Sequence, residues 1–145
     1  MEYTFFGHNN CEMVKPIRKE YQNIANPIVL YDLLSDIWCK YSCAPRMRIR
    51  WCKENMTLGQ CSITSFLVQD IFGGEVFGVP LGDGSYHCFN VVNGYVFDLT
   101  SEQFGDEKLV YTLDYPQSRD EHFQSKEKEE RYLYLVREIR KKLAK

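Results

Sequence analysis

From Tyr86 to Thr100 the chain reads YHCFNVV-NG-YVFDLT, two runs rich in β-branched and aromatic residues joined by Asn93-Gly94. Asn-Gly is the preferred pair for a two-residue type I′ turn, because both positions need positive φ. The turn sets the register of the hairpin: residue 92 faces 95, 91 faces 96, 89 faces 98 and 87 faces 100. Opposed residues share a sheet face, and so do residues two apart. His87, Phe89 and Val91 are therefore expected on one face with Val96, Asp98 and Thr100. His87 and Asp98 become diagonal neighbours, about 7–8 Å apart at the backbone and within reach of each other's side chains. A one-residue slip would destroy the arrangement. Cys88 points to the opposite face and reads as core.

Upstream, GQCSITSFLVQDIFGG (residues 59–74) has apolar side chains at 63, 66, 67 and 71. That spacing predicts a core-facing helix of about three turns, stopped by Gly73-Gly74. Cys61 falls in its first turn, where free N–H groups and the helix dipole favour the thiolate. A nearby imidazole would lower the thiol pKa further, and a carboxylate would orient that imidazole. Cys61, His87 and Asp98 thus supply a nucleophile, a general base and an orienting group, in that chain order. Backbone N–H groups at the helix start, with Gln60 or Asn55 as side-chain donor, would form an oxyanion site. Trp51, ten residues before Cys61, is a candidate wall of that site. Each residue also has a plainer reading. Free cysteine is among the most buried residue types, and an Asp beside a strand His can be a simple cross-strand pair. The three together, on a helix followed by a hairpin, point to catalysis.

The rest of the chain supplies scaffold. Residues 28–43 carry apolar side chains at 30, 33, 34, 37, 38 and 41, which predicts a helix closed by Pro45. Residues 1–27 are weakly patterned and read as a peripheral segment with a short helix in IRKEYQNIAN. A loop follows the first long helix. Lys40, Arg46, Arg48, Arg50 and Lys53 lie there with no acid among them; a solvated loop is the simpler reading than an anion-binding patch. EVFGVP and KLVYTLD read as further strands. The C-terminal helix starts at Ser125 as N-cap, with acids early and bases late, and its buried stripe is Leu133, Val136, Ile139 and Leu143. The expected fold is α+β: one domain spanning 1–145, helices packed on one side of a small antiparallel sheet. Residues 28–104 carry the Cys/His/Asp set, and 105–145 add a strand and a helix.

Several function classes drop out. No apolar run reaches the ~18 residues of a membrane span. The N-terminus lacks the basic and apolar regions of a signal peptide, so a cytoplasmic location is expected. There the six cysteines are expected to be reduced thiols. Cys39, Cys43 and Cys52 lack the paired spacing of a zinc site, and no metal or cofactor is expected. A formal net charge of -2 carries no nucleic-acid signature. His8 and His122 lie in irregular polar segments and are assigned no role.

The segments GQCSITSFLVQDIFGGEV and HCFNVVNGYVFDLTSEQF resemble the YunG-like family of small uncharacterised bacterial proteins. The residues that carry the resemblance are Gly59, Gln60, Cys61, Gln69, Asp70, Gly73, Gly74, His87, Asn90, Asp98, Leu99, Thr100, Gln103 and Phe104. More distantly, the order of cysteine helix, histidine strand and aspartate strand is similar to papain-like (NlpC/transglutaminase-like) cysteine enzymes, which implies a papain-like domain. Such enzymes carry a glutamine six residues before the nucleophile; here that place is held by Asn55. The expected activity is cysteine-dependent acyl transfer from a peptide, amide or thioester, with a hydrolase, deamidase or transglutaminase-like outcome. The alternative is a non-catalytic module that binds a peptide or an anionic partner on the same core. The two differ in whether Cys61 opens to a cleft beside His87 or is sealed in the core.

Overall fold

The computed structural model describes residues 2–145. Its sheet has three antiparallel strands, β1 (Glu75–Pro80), β2 (Tyr86–Val92) and β3 (Tyr95–Phe97), in that order. Asn93 and Gly94 take φ of 53° and 83°, the two positive values a type I′ turn requires. The register follows from the turn: Val92 pairs with Tyr95, Val91 with Val96 and Asn90 with Phe97. Neither edge of the sheet is left bare. The Asp98 N–H donates to the Phe6 carbonyl, and the 115–117 segment bonds to Val76 and Gly78 of β1.

Among the described residues four α-helices complete the fold: α1 (Pro27–Ser35), α2 (Cys61–Phe72), α3 (Arg119–His122) and α4 (Lys126–Leu143). Helix α2 is the central element. Twelve residues would be marginal as an isolated helix, and its N-cap, Gln60, makes no side-chain capping bond. A missing cap costs about 1 kcal/mol. Burial outweighs it. Phe66 packs with Val76 and Cys88 under the sheet, while Ile63, Leu67 and Ile71 pack with Leu30, Leu34, Leu135 and Ile139. Each such side chain contributes about 1.5–3 kcal/mol on full burial. The far face of the sheet, with Phe77, Val79 and Phe89, is covered by Leu109 and Tyr111. Among the described residues no helix is long and apolar enough to cross a membrane.

Four expectations change. The first helix ends at Ser35 rather than reaching residue 43. The Cys39 N–H turns to the Ser42 hydroxyl, and the Ser35 carbonyl takes Lys53 instead. KLVYTLD forms no strand: Leu109 and Tyr111 lie across the sheet face, and a bridge just beyond the segment joins Phe77 to Pro116. The segment before α1 is not peripheral, because Phe5, Cys11, Val14, Tyr21 and Ile24 are buried in the main core; IRKEYQNIAN supplies only a short 3-10 turn at Lys19–Tyr21. In α4, Leu135 joins Val136 and Ile139 in the core, while Leu133 is exposed.

Gly59 sets the entry to α2. Its φ is +73°, and a Cβ there would stand 2.5 Å from Cys43 Sγ and 3.0 Å from the Ala44 nitrogen. Gly59→Ala is expected to cost about 2 kcal/mol through the left-handed backbone and this crowding. Urea denaturation followed by circular dichroism checks it: the midpoint should fall, and an unchanged midpoint would contradict the account.

Candidate active site

Two elements meet at the site. The hairpin brings His87 and Asp98 together, and α2 delivers Cys61 at its N-terminus. His87 Nε2 lies 2.6 Å from Asp98 Oδ2, and both side chains are only 1% exposed. Asp98 accepts three further hydrogen bonds: from the Tyr111 hydroxyl at 2.8 Å, the Thr100 N–H at 3.1 Å and the Thr100 hydroxyl at 3.2 Å. In each of these bonds a carboxylate oxygen is the acceptor. The imidazole also packs edge-on against Phe104. With Nε2 committed to Asp98, Nδ1 is the nitrogen left for chemistry. It is buried and, among the described residues, has no partner but the Cys61 sulfur.

Cys61 is partly exposed and lines a cavity of about 890 Å³ together with His87, Cys88, Phe104 and His122. Its thiol pKa is held well below the ordinary value. The Cys88 thiol is the largest cause, donating a hydrogen bond to the sulfur; burial opposes the shift; the His87 ring and its charge lower it further. The first turn of α2 adds the favourable end of the helix dipole. Burial pushes His87 toward neutrality, but the charge and hydrogen bond of Asp98, with the Cys61 sulfur, outweigh it and raise its pKa to about 10. Cys88 is pushed well above the usual thiol range, first by its bond to Cys61 and then by burial, so it stays protonated. Both shifts favour a thiolate–imidazolium pair beside the Asp98 side chain.

The structure brings Cys61, His87 and Asp98 together. It does not bring the oxyanion candidates with them. Trp51, Asn55 and Gln60 lie outside the cavity lining. Gln60 is fully buried and its amide donates to the Cys39 carbonyl at 3.1 Å, while Trp51 Nε1 donates to the Met56 carbonyl at 2.9 Å. Gln103 does line the cavity, but its amide donates to the Thr57 and Thr100 carbonyls. The open donors are the first N–H groups of α2, at Cys61, Ser62 and Ile63, which find no acceptor among the described residues.

Sequence reasoning missed two residues at the site. Cys88 is core, packed with Phe66 and Val76, yet its thiol also reaches Cys61. The strand alternation held the signal, since it turned Cys88 toward the face that α2 covers. His122, assigned no role above, is 8% exposed, lines the cavity and has neither ring nitrogen partnered. Burial first, and then Lys128 and Arg131, pull its pKa down to about 4, so the ring is neutral. Nothing local in RDEHF marks it.

A family model described as "YunG protein" matches residues 26–144. A Bacillus subtilis (strain 168) protein named "Uncharacterized protein YunG" is 36% identical over 103 residues, covering 71% of this chain and 82% of that protein. No solved structure gives a significant match.

The charge state of the site makes Cys61 reactivity testable. Iodoacetamide alkylation of Cys61 should stay nearly flat from about pH 7 to 9, between its lowered pKa and the raised one of His87, whereas an ordinary thiol slows about tenfold per unit below about pH 8.5. Cys88→Ala should move the onset up by about one unit, the worth of a hydrogen bond to a charged group, and Cys88→Ser should restore much of it. Rates resolved by peptide mass spectrometry decide. A Cys61 that slows in parallel with a model thiol would contradict this charge state.

Proposed function

The chain belongs to the YunG family, and we propose that it is a cysteine-dependent acyl-transfer enzyme on a papain-like core. The observation that carries this reading is the buried Nδ1 of His87, which among the described residues has no partner but the Cys61 sulfur, while Nε2 is bonded to Asp98. A structural histidine would use both nitrogens or expose one. Burying three titratable groups at one point does little for stability, since apolar replacements of buried ion pairs are often neutral or stabilising. Lowered thiol and raised imidazole pKa values beside a cavity are the arrangement nucleophilic catalysis needs.

The steps follow from the atoms present. The Cys61 thiolate attacks the carbonyl carbon of an amide or thioester, forming a C–S bond and an oxyanion. The free N–H groups at the start of α2 are aimed at such a charge. The intermediate collapses as the imidazolium Nδ1–H gives its proton to the departing amine or thiol. Neutral His87 then takes a proton from water or an amine, which attacks the acyl-enzyme and frees Cys61. Asp98 keeps the ring oriented and stabilises its cation throughout. The order of the cysteine helix and the antiparallel hairpin supports the papain-like assignment.

An activated aryl acetate tests the chemistry without knowledge of the substrate. A burst of about one equivalent of phenolate should accompany acetylation of Cys61, with loss of the burst in Cys61→Ala. His87→Ala should slow acylation by about 10²–10⁴-fold. Phenolate release that is unchanged in Cys61→Ala would overturn the proposal.

A further inference from the structure

The basic loop of residues 40–53 takes no part in the steps above, and the structure divides four of its five cations into two sets. Arg48 is spent on main-chain carbonyls: its Nε donates to Lys40 and Cys43 and its Nη2 to Tyr41, at 2.8 to 3.2 Å. Lys53 reaches the Ser35 carbonyl. Arg46 and Arg50, by contrast, line the Cys61 cavity. Arg46 has only a loose, exposed pairing with Asp83 at 3.9 Å. Arg50 has no carboxylate within 4 Å among the described residues.

Helix α4 adds Lys128 to the same lining, also without a carboxylate partner among the described residues. Like Lys126, it sits in the first turn of α4. A cation in the first turn opposes the helix dipole, so α4 gains nothing from it there. Two acids line the cavity. Glu127 is committed to the buried Arg131, which leaves Glu121 alone against Arg46, Arg50 and Lys128. The Cys61–His87 pair is neutral as a unit, and Asp98 lies behind the imidazole, outside the lining. Beside Cys61, His122 is more than nine-tenths buried with both ring nitrogens unpartnered. A neutral ring without a partner is a built polar group awaiting one.

We propose that the acyl donor carries a carboxylate, held by Arg50 and Lys128 with a ring N–H of His122, while its carbonyl meets Cys61. This rests on the acyl-transfer reading and names its substrate class. A carboxylate would satisfy at once the uncompensated cations and the orphaned imidazole. A neutral acyl group would leave the cations uncompensated, and a cationic one would be repelled by them.

Iodoacetate and iodoacetamide test the charge preference, because they deliver nearly the same group to sulfur and differ in charge. In both cases the Cys61 thiolate forms a C–S bond to the methylene carbon and iodide leaves. The quantity read is the ratio of the iodoacetate to the iodoacetamide rate at Cys61, divided by the same ratio for a small free thiol. It should be about tenfold above one at low salt and fall as salt rises. Arg50→Gln and Lys128→Gln should each lower it by about two- to fivefold, and Lys128→Glu by more. Arg137→Gln, on α4 but outside this cavity, should leave the ratio as it was. A Cys61 that reacts fast with both reagents, with a ratio indifferent to Arg50 and Lys128, overturns the carboxylate proposal and leaves the acyl-transfer reading standing. A Cys61 no faster than the other thiols with either reagent brings down both.

Discussion

The 2.6 Å bond between His87 Nε2 and Asp98 Oδ2 is the interaction on which the site depends. Everything around it serves to hold it. The Asn93-Gly94 turn sets the register, Phe6 fixes the Asp98 backbone, and Tyr111 and Thr100 occupy the remaining lone pairs of the carboxylate. Removing one partner of such a buried pair costs about 3–5 kcal/mol, because the other is left charged and unpaired. The bond also decides which imidazole nitrogen is free. It is Nδ1, the reverse of the Ser-His-Asp arrangement in which the carboxylate holds Nδ1 and Nε2 does the proton transfer.

Two neighbours act on Cys61: the Cys88 thiol lowers its pKa most, by hydrogen bonding, and the His87 ring and its charge lower it further. Adjacent residues of one strand point to opposite faces, so β2 can supply an imidazole and a thiol to the same sulfur only where α2 begins beside its first residues. The depth of α2 in the core keeps that meeting point rigid, and the open end of the helix leaves N–H groups free where an oxyanion would form.

Much of this was legible in the sequence because the signals were local and periodic. Asn-Gly fixed the hairpin, and the hairpin placed His87 with Asp98. Spacing at 63, 66, 67 and 71 placed Cys61 at a helix start. What stayed hidden depended on partners far along the chain. The helix from Pro27 stops early because Cys39 and Ser35 find Ser42 and Lys53 instead of each other. Residues 108–114 have strand-like composition, but no free sheet edge pairs with them, so they cover a face. Gln60 looked like a donor at the site and is instead bonded to Cys39 under the surface. His122 sits at the cavity with its ring packed on Phe66 of α2, far back along the chain, which no local pattern encodes.

The basic loop shows the same rule in its charges. Five cations in one stretch looked like a uniform solvated patch. Main-chain carbonyls take two of them, and two others join Lys128 at the cavity. Charge that opposes a helix dipole, and charge without a counterion, are costs that folding alone does not explain.

The thiolate–imidazolium pair is the central claim, and nitrogen NMR of the His87 ring tests it most directly. Both ring nitrogens should show the imidazolium signature at about pH 8, with titration near pH 10, and the midpoint should fall in Cys61→Ala as one of its supporting charges is removed. A His87 ring that is neutral at pH 8, titrating near the ordinary value of about 6.5, would contradict the account.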